Sequence, residues 1–352
     1  MKYTDVSLAP ADGGKQFVRV QRVIEHFPGL RTFVFRADGE RTKTLAPQRA
    51  GNYIAITADV GGSRVTRAYT LASSPKEAES GIYISTVKKA GILSSYLVDE
   101  VKEGDVLEVS RPAGRFVYER GKDCAHVTGV AGGAGITSML SMAKAAEEGS
   151  ENYRMTLFFC VKNAYEFIFR DVLDGMKSGR VQVVYVVEND APDFAESGVF
   201  TRELLHKYVN EATTLFACGG NELYGHILRE LAGDGSVRGM KFSQNSVTDR
   251  EDDRMFSLSV HLAGREYVIP ARASETLMVA MERAGLGALS QCRVGECGFC
   301  RSTVTAGRYS VHPEHDERSS EDVRRGIVHP CCTYPESDMD IVVPADPAAE
   351  VL

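Results

Sequence analysis

Five of the eight cysteines lie near the carboxyl end of the chain, and three of them share one short loop, QCRVGECGFCRS. Cys292, Cys297 and Cys300 are spaced C-x4-C-x2-C, and the adjacent pair Cys331 and Cys332 follows about 30 residues later. This spacing is typical of four thiolates that bind a [2Fe–2S] cluster. Four cysteines can also hold structural zinc, but zinc ribbons usually combine two C-x2-C pairs. The loop therefore predicts an iron–sulfur cluster and a fold that returns a distant cysteine to it.

The adjacent thiols of Cys331 and Cys332 allow three arrangements: a strained disulfide, two metal ligands, or one ligand beside a buried neighbour. In an extended segment, adjacent side chains point to opposite sides. Only one of the two thiols can then easily face a cluster.

Composition limits the classes of protein to consider. The chain has 352 residues, of which 43% are hydrophobic and 25% charged, and its net charge is −7. This charge, without any Lys/Arg run interleaved with aromatics, argues against nucleic-acid binding. The amino terminus has no apolar h-region, and apolar runs such as VQVVYVV are shorter than the roughly 20 residues of a membrane helix. We therefore expect a cytoplasmic protein without a membrane span, whose clustered cysteines serve metal or redox chemistry.

Three patterns follow one another along the chain. Short β-type runs separated by turn residues come first and predict an antiparallel β-barrel. Strands then alternate with helices, which predicts a doubly wound parallel sheet. A polar stretch, SQNSVTDREDDR, precedes a hairpin, a helix and the cysteine loop. The sequence thus predicts a multidomain fold with a barrel at 1–115, an α/β domain at 116–243, a linker at 244–254 and an α+β domain at 255–352.

The last of these domains resembles a plant-type ferredoxin of β-grasp fold. The resemblance includes the cysteine loop, the helix TLMVAMERAG before it, and a C-x3-P tail followed by the acidic and apolar strand SDMDIVV. It implies that Cys331 is the fourth ligand, beside Cys292, Cys297 and Cys300. Cys332 is then a buried neighbour that faces the ferredoxin core.

The segment RAYTLASS, residues 67–74, resembles the R-x-Y-[ST]-x-x-S motif of the ferredoxin–NADP reductase superfamily. By itself such a strand is more often an ordinary half-exposed surface. The resemblance implies a flavin site made by Arg67, Ala68, Tyr69 and Thr70. Arg67 would pair with the pyrophosphate, Tyr69 would lie against the isoalloxazine, and the catalytic Thr70 hydroxyl would reach flavin N5.

Two further segments resemble flavin-binding parts of the same superfamily. In GILSSYL (91–97) a helix amino terminus would offer backbone N–H groups to a diphosphate, which favours FAD over FMN, although its serines fit a plain helix cap as well. PAGRF (112–116) resembles the link to the nucleotide domain, where Phe116 or Tyr118 would contact the adenine end or pack in the core. The flavin contacts that these two segments and the strand before GILSSYL imply are Val87, Gly91, Leu93, Ser94, Ser95 and Phe116.

The nucleotide domain carries two glycine motifs. GVAGGAGITSM (129–139) lies between a strand and a helix, as a dinucleotide diphosphate site requires, and resembles G-x-G-x-[TS]-P with Ser138 in place of proline. ACGGNELY (217–224) resembles C-G-P-x-x with Gly220 in place of proline. Cys218 would position the nicotinamide ring, or is simply a small buried side chain. The implied dinucleotide contacts are Gly132, Gly133, Gly135, Thr137, Cys218 and Gly219.

The choice of nicotinamide depends on the segment VVENDAPDF. NADP-dependent members of the superfamily have a Ser-Arg type pair here, whereas this chain has Glu188 and Asn189. A carboxylate repels a 2′-phosphate but accepts hydrogen bonds from ribose hydroxyls. Glu188 therefore favours NADH over NADPH, with Lys162 and Arg170 as nearby cations that oppose this choice. Members of the superfamily often end the nucleotide domain with a Glu-x-Phe-like stretch. This chain has MKFSQNSVT there, and we assign no role to Phe242.

In this order, the three resemblances imply an NADH-dependent reductase that passes electrons through FAD and a [2Fe–2S] cluster to a protein acceptor, such as an oxygenase component or hybrid-cluster protein. The last domain has nine Arg, no Lys and fourteen Asp and Glu residues, so we expect a basic docking face on that acceptor. One alternative is a diaphorase-like or sensing reductase that reduces oxygen or small molecules. Another is an electron-transfer or regulatory subunit without its own NADH oxidation.

Overall fold

The structure of the protein is a computed structural model that describes residues 14–242 and 251–344. Three main sheets follow one another along the chain: an antiparallel barrel, a parallel sheet and a mixed sheet. The predicted fold class is confirmed, whereas the predicted domain boundaries stay predictions because most of the linker, 244–250, lies outside the described residues. Within the described ranges, no helix combines the length and apolar character that crossing a membrane requires.

The first sheet is six-stranded, with the order β4-β3-β6-β1-β2-β5. Its edge strands meet through a bridge between Leu71 and Ser85, which closes the barrel. Alternate side chains such as Phe33 and Phe35 point inward and are fully buried, as expected for a barrel with one solvated face. The elements are β1 (Lys15–Phe27), β2 (Leu30–Ala37), β3 (Tyr53–Val60), β4 (Ser63–Thr70), α1 (Pro75–Glu79), β5 (Tyr83–Lys88), α2 (Ile92–Asp99) and β6 (Val106–Ser110).

The second sheet is parallel throughout, with the order β10-β9-β8-β7-β11-β12. Helices cover both faces, so the central strands are almost wholly apolar. The strand order reverses between β7 and β11, and ligands bind at the carboxyl ends of the strands at such a point. The elements are β7 (His126–Gly132), α3 (Ile136–Glu147), β8 (Arg154–Val161), α4 (Arg170–Asp174), β9 (Val181–Val187), β10 (Glu196–Ser197), α5 (Arg202–Tyr208), β11 (Thr213–Cys218), α6 (Asn221–Glu230) and β12 (Val237–Phe242).

The third sheet has the order β14-β13-β19-β15-β17, and β16 pairs separately with β18. β13 pairs antiparallel with β14 and parallel with β19, so the sheet is mixed. The helix before the cysteine loop packs its apolar face on this sheet. The elements are β13 (Met255–Leu262), β14 (Arg265–Arg272), α7 (Leu277–Arg283), β15 (Ser302–Ala306), β16 (Tyr309–Val311), α8 (Ser320–Arg324), β17 (Ile327–Val328), β18 (Thr333–Pro335) and β19 (Met339–Val343).

The barrel and the parallel-sheet domain share part of one core. Leu30, Ala72 and Phe116 pack with the side chains that cover one face of the parallel sheet. Gly51 makes this close packing possible, because it has φ +93° and a Cβ there would lie 1.9 Å from the carbonyl oxygen of Phe116. The glycine thus fixes the angle at which the segment after β6 leaves the barrel.

Candidate active site between the barrel and the cysteine loop

The four predicted cluster ligands converge. The cysteine loop, residues 291–301, brings the Cys297 N–H to within 3.4 Å of the Cys292 sulfur, and the Cys300 thiol donates to the Cys331 sulfur at 3.5 Å. The Cys292 thiol, acting as a hydrogen-bond partner, and burial both raise the pKa of Cys297. Thiolates so close together repel one another unless a cation lies among them. The donor set therefore fits an iron–sulfur cluster, with Cys292 as the hydrogen-bond partner of both Cys297 and Cys331.

Backbone N–H groups of the loop point at these sulfurs. Gly295 donates to Cys331 at 3.3 Å and Val294 donates to Cys292 at 3.5 Å. Such donors stabilise negative charge on sulfur. Gly295 has φ +75°, and a Cβ there would lie 2.3 Å from the His315 carbonyl oxygen. Only glycine fits this position, which is why the loop can wrap so tightly.

Cys332 lies beside Cys331, whose thiol, together with burial, raises the pKa of Cys332. It is fully buried in the core of the third domain, and its Sγ donates to the carbonyl oxygens of His315 and His329 at 3.5 and 3.4 Å. The segment Pro330–Cys332 is a 3₁₀ turn and not the extended strand assumed from the sequence. Successive residues of such a turn are about 120° apart, which also separates adjacent side chains. Cys331 is thus the member of the pair that lies with Cys292, Cys297 and Cys300.

A cavity of about 370 Å³ lies between the barrel and the cysteine loop. Ala68 and Thr70 of β4 line it on one side, and Cys292 lines it on the other. Tyr53, the antiparallel partner of Thr70, lies between them, and burial together with the Cys297 and Cys292 sulfurs raises its pKa. The other lining residues are Gly51, Gly114, Arg115, Phe116, Glu119, Lys241, Val294 and Glu296. The proposed flavin strand and the cluster ligands therefore open onto one space.

The remaining residues of the flavin strand have other neighbours. Tyr69 packs against the barrel core, and burial raises its pKa. Arg67, proposed to pair with a pyrophosphate, donates from Nη1 to both carboxylate oxygens of Glu282 at 3.1 Å. Phe116 lines the cavity and makes an edge-on contact with Phe216 at 5.3 Å, so it contributes to both the cavity and the core.

The start of α2 is arranged as a helix cap. The Ser94 hydroxyl accepts from the N–H groups of Ala90 and Gly91 and donates to the Gly91 carbonyl oxygen. Val87 and Leu93 are buried in the barrel core, whereas Ser95 is half-buried. The proposed diphosphate contacts here therefore depend on the open backbone N–H groups of the first turn and not on the Ser94 hydroxyl.

The two glycine motifs meet at the reversal point of the parallel sheet. A Cβ on Gly135 would lie 1.9 Å from the Cys218 carbonyl oxygen, and a Cβ on Gly132 would lie 3.6 Å from the Gly219 Cα. Gly133 has φ +51° and continues this turn. The structure thus brings these predicted residues together in backbone contact. The Thr137 hydroxyl is instead used within the turn, where it donates to the Ala134 carbonyl oxygen at 2.8 Å.

The segment after β9 places Glu188 on the surface, where its N–H donates to the Val161 carbonyl oxygen at 3.1 Å. Of the two nearby cations, Arg170 pairs with Asp174 at 3.1 Å and stacks on Phe194 at 3.5 Å from the ring centre. Its charge is therefore offset locally. Lys162 is exposed.

Three further residues line or contact the site, although no role was assigned to them from the sequence. Tyr224 accepts from the Gly219 N–H at 3.1 Å, and Lys241 at the cavity wall donates to Asp123 at 2.6 Å. Glu296 lines the cavity, and its burial raises the pKa of its carboxyl despite the opposing charge of Arg115. Two of these residues had an indication in the sequence. Lys241 is the charged residue of MKFSQNSVT, and Glu296 directly precedes the ligand Cys297.

Family models match three successive parts of the chain. Residues 19–118 match the oxidoreductase FAD-binding domain, residues 130–227 the oxidoreductase NAD-binding domain, and residues 260–336 the 2Fe-2S iron-sulfur cluster binding domain. The chain belongs to the ferredoxin–NADP reductase superfamily. It is an oxidoreductase with FAD-binding, NAD-binding and [2Fe–2S] domains, as the sequence predicted.

Relatives match this superfamily member over most of its length. The glycine betaine monooxygenase reductase subunit of Pseudomonas aeruginosa is 27% identical, with 93% of this chain and 95% of that protein covered. NADH oxidoreductase HCR of Escherichia coli is also 27% identical, with coverages of 83% and 88%. Among solved structures, phthalate dioxygenase reductase has the same fold, with a TM-score of 0.67, 20% identity, and coverage of 96% of this chain and 100% of that chain.

Proposed function

We propose that the protein is an NADH-dependent reductase that transfers electrons through FAD and a [2Fe–2S] cluster to a redox protein. The observation that carries this proposal is the single cavity lined by Thr70 of the flavin strand and by Cys292 of the cysteine loop. Among residues 14–242 and 251–344, both sites open directly onto this cavity. A short, direct path for electrons is the function that this arrangement supports best.

FAD held at the flavin strand would supply the exchange between a two-electron hydride and single electrons, and a cluster held by Cys292, Cys297, Cys300 and Cys331 would carry those electrons one at a time. The chain's own residues prepare this exchange. The backbone at Gly135 and Cys218, which lie in contact, would hold the nicotinamide end, and the Thr70 hydroxyl at the cavity would orient the flavin. Lys241 at the cavity wall pairs with Asp123 at 2.6 Å and with Glu119 at 3.3 Å, so its charge is offset locally.

The acceptor in this proposal is a protein. Relatives that match more than four fifths of the chain are named as reductase subunits of monooxygenases or as an NADH oxidoreductase. An oxygenase component or a hybrid-cluster protein is therefore the class of acceptor we propose. A cytoplasmic location is part of the proposal, because free thiols such as Cys124 and Cys160 remain reduced there.

An anaerobic titration of the reconstituted chain tests the proposal. NADH should bleach the flavin absorbance first and then the cluster absorbance, with a total of three electrons taken up, two by FAD and one by the cluster. NADPH should do the same only at higher concentration. Reduction of the cluster only after a partner protein is added would support the subunit alternative. A flavin and cluster that both stay oxidised with either dinucleotide would contradict the proposed function.

A further inference from the structure

One buried carboxylate lies between two arginines from different domains. Glu282, in the last turn of α7, accepts from Arg293 Nη1 and Nη2 at 2.8 and 3.0 Å. The same two oxygens accept from Arg67 Nη1 at 3.1 Å, and the Thr66 N–H donates to Oε1 at 3.4 Å. Arg67 and Thr66 belong to β4 of the barrel, whereas Glu282 and Arg293 belong to the ferredoxin domain.

The Arg67 end of this triad lies at the flavin strand. Arg67 is 28% exposed and uses Nη1 for Glu282 and for the Thr66 carbonyl oxygen. Within residues 14–242 and 251–344, its Nε and Nη2 donate no hydrogen bond. The guanidinium can therefore bind Glu282 through one nitrogen and keep its other edge for an anion such as a flavin diphosphate.

The Arg293 end lies in the cysteine loop, directly after Cys292. Arg293 is 7% exposed and has φ +67°, a left-handed conformation that is unfavourable for a side chain of this size. Surrounding contacts must hold such a residue in place. The two parallel hydrogen bonds to Glu282 are contacts of this kind, and they fix the backbone next to the first cluster ligand.

These contacts give Glu282 a role that packing alone does not provide. Without its negative charge, Arg67 and Arg293 would face each other across the domain boundary without the carboxylate that both bind. Removing one member of a buried ionic group leaves the others uncompensated, which costs far more than loss of an exposed pair. Separation of the barrel from the ferredoxin domain would relieve this repulsion, and separation lengthens the path from flavin to cluster.

We propose that Glu282 is a positioning residue that docks the ferredoxin domain on the flavin strand and so sets the rate of electron transfer from FAD to the cluster. The proposal rests on the proposed function. Glu282 itself touches neither cofactor site and acts through Arg67 and Arg293.

Glu275 provides a matched control. It lies just before α7, is 6% exposed, and accepts from Arg283 Nη2 at 2.5 Å and from the Arg272 N–H at 3.0 Å. All of its partners belong to the ferredoxin domain. Glu275→Gln thus removes a similarly buried carboxylate–arginine pair without touching the barrel.

The experiment uses the full chain with FAD and cluster, mixed anaerobically with NADH. Flavin bleaching reports hydride transfer, and freeze-quenched EPR reports cluster reduction. In Glu282→Gln we expect flavin bleaching at the rate of the unchanged protein but cluster reduction slowed by about tenfold or more. Hydrogen exchange should rise in β4 and α7. Glu282→Asp, which keeps the charge on a shorter side chain, should recover part of the rate, and Glu275→Gln should lower thermal stability without slowing cluster reduction.

Three results would overturn the proposal: cluster reduction in Glu282→Gln as fast as in the unchanged protein, equal slowing in Glu275→Gln, or no change of exchange in β4. If the Glu282→Gln protein binds no cluster, the Glu282→Asp protein is used instead. A rate of cluster reduction in Glu282→Asp equal to that of the unchanged protein would then contradict the positioning role. If NADH reduces nothing in the unchanged protein, the proposed function fails instead. The exchange measurement then still tests whether Glu282 holds the two domains together.

Discussion

The cysteine loop and the cavity that it faces are built in opposite ways. Three of the four thiols and several of the N–H donors that point at them come from residues 291–301, so most of the ligand set is fixed within one loop. The cavity has walls from β3, β4, the segment after β6, the end of the parallel sheet and the loop itself. A local site of the first kind fails when one residue is lost, whereas an assembled site of the second kind fails when domains shift.

The largest expected effect breaks the local site. Cys331→Ser should remove the cluster absorbance and electron transfer to any acceptor, because the thiol that neighbours Cys300 is lost. Flavin bleaching by NADH should continue, since the cavity wall and the dinucleotide site do not include Cys331. Cys332→Ser is the control and should keep the cluster, because its sulfur bonds the carbonyl oxygens of His315 and His329. Cluster loss in Cys332→Ser with retention in Cys331→Ser would reverse the assignment.

The next effect loosens the assembled site. Gly51→Ala places a Cβ against the Phe116 carbonyl oxygen at a position with φ +93°, and we expect a loss of about 3 kcal/mol in the free energy of unfolding, together with weaker FAD retention. Gly39→Ala is the matched control. Gly39 has φ +82° but nothing within 4 Å of its Cβ position, so it should cost only about 1 kcal/mol.

Urea unfolding followed by flavin fluorescence measures both variants. Both variants carry the backbone strain of a positive φ. The difference between their losses of unfolding free energy therefore measures the clash of the Cβ added at Gly51 with the Phe116 carbonyl oxygen alone. Equal losses in the two would mean that the join between the barrel and the following segment does not depend on Gly51.

The smallest effect is expected at the protein surface, at Glu188, away from both the cysteine loop and the cavity. Glu188→Ser removes an exposed carboxylate after β9, and we expect the ratio of kcat/KM for NADPH over NADH to rise by about two- to fivefold, the range of an exposed charge interaction. Cluster content and thermal stability should stay unchanged. Glu203→Ser, which removes an exposed carboxylate on α5, controls for the change in net charge. A ratio that rises equally in both variants would show a general electrostatic effect and not recognition at Glu188.

Local motifs made most of the fold and the convergence of the ligands predictable. The strand runs, the alternation of strands with helices and the cysteine spacing each depend on residues close together in sequence. The side-chain details were less predictable. The Ser94 hydroxyl caps its own helix, and the 3₁₀ turn at Pro330–Cys332 replaces an extended segment, because short-range hydrogen bonds and packing decided these positions.

The sequence alone determined which chemistry the protein can hold, since the spacing of Cys292, Cys297 and Cys300 and the glycines of the nucleotide turn are properties of the local chain. Only the tertiary structure decided how these parts meet. It placed Glu282 between Arg67 and Arg293, and it brought Lys241 to the cavity wall. Such contacts join residues far apart in the chain, and their energies depend on burial and distance, which no local pattern encodes.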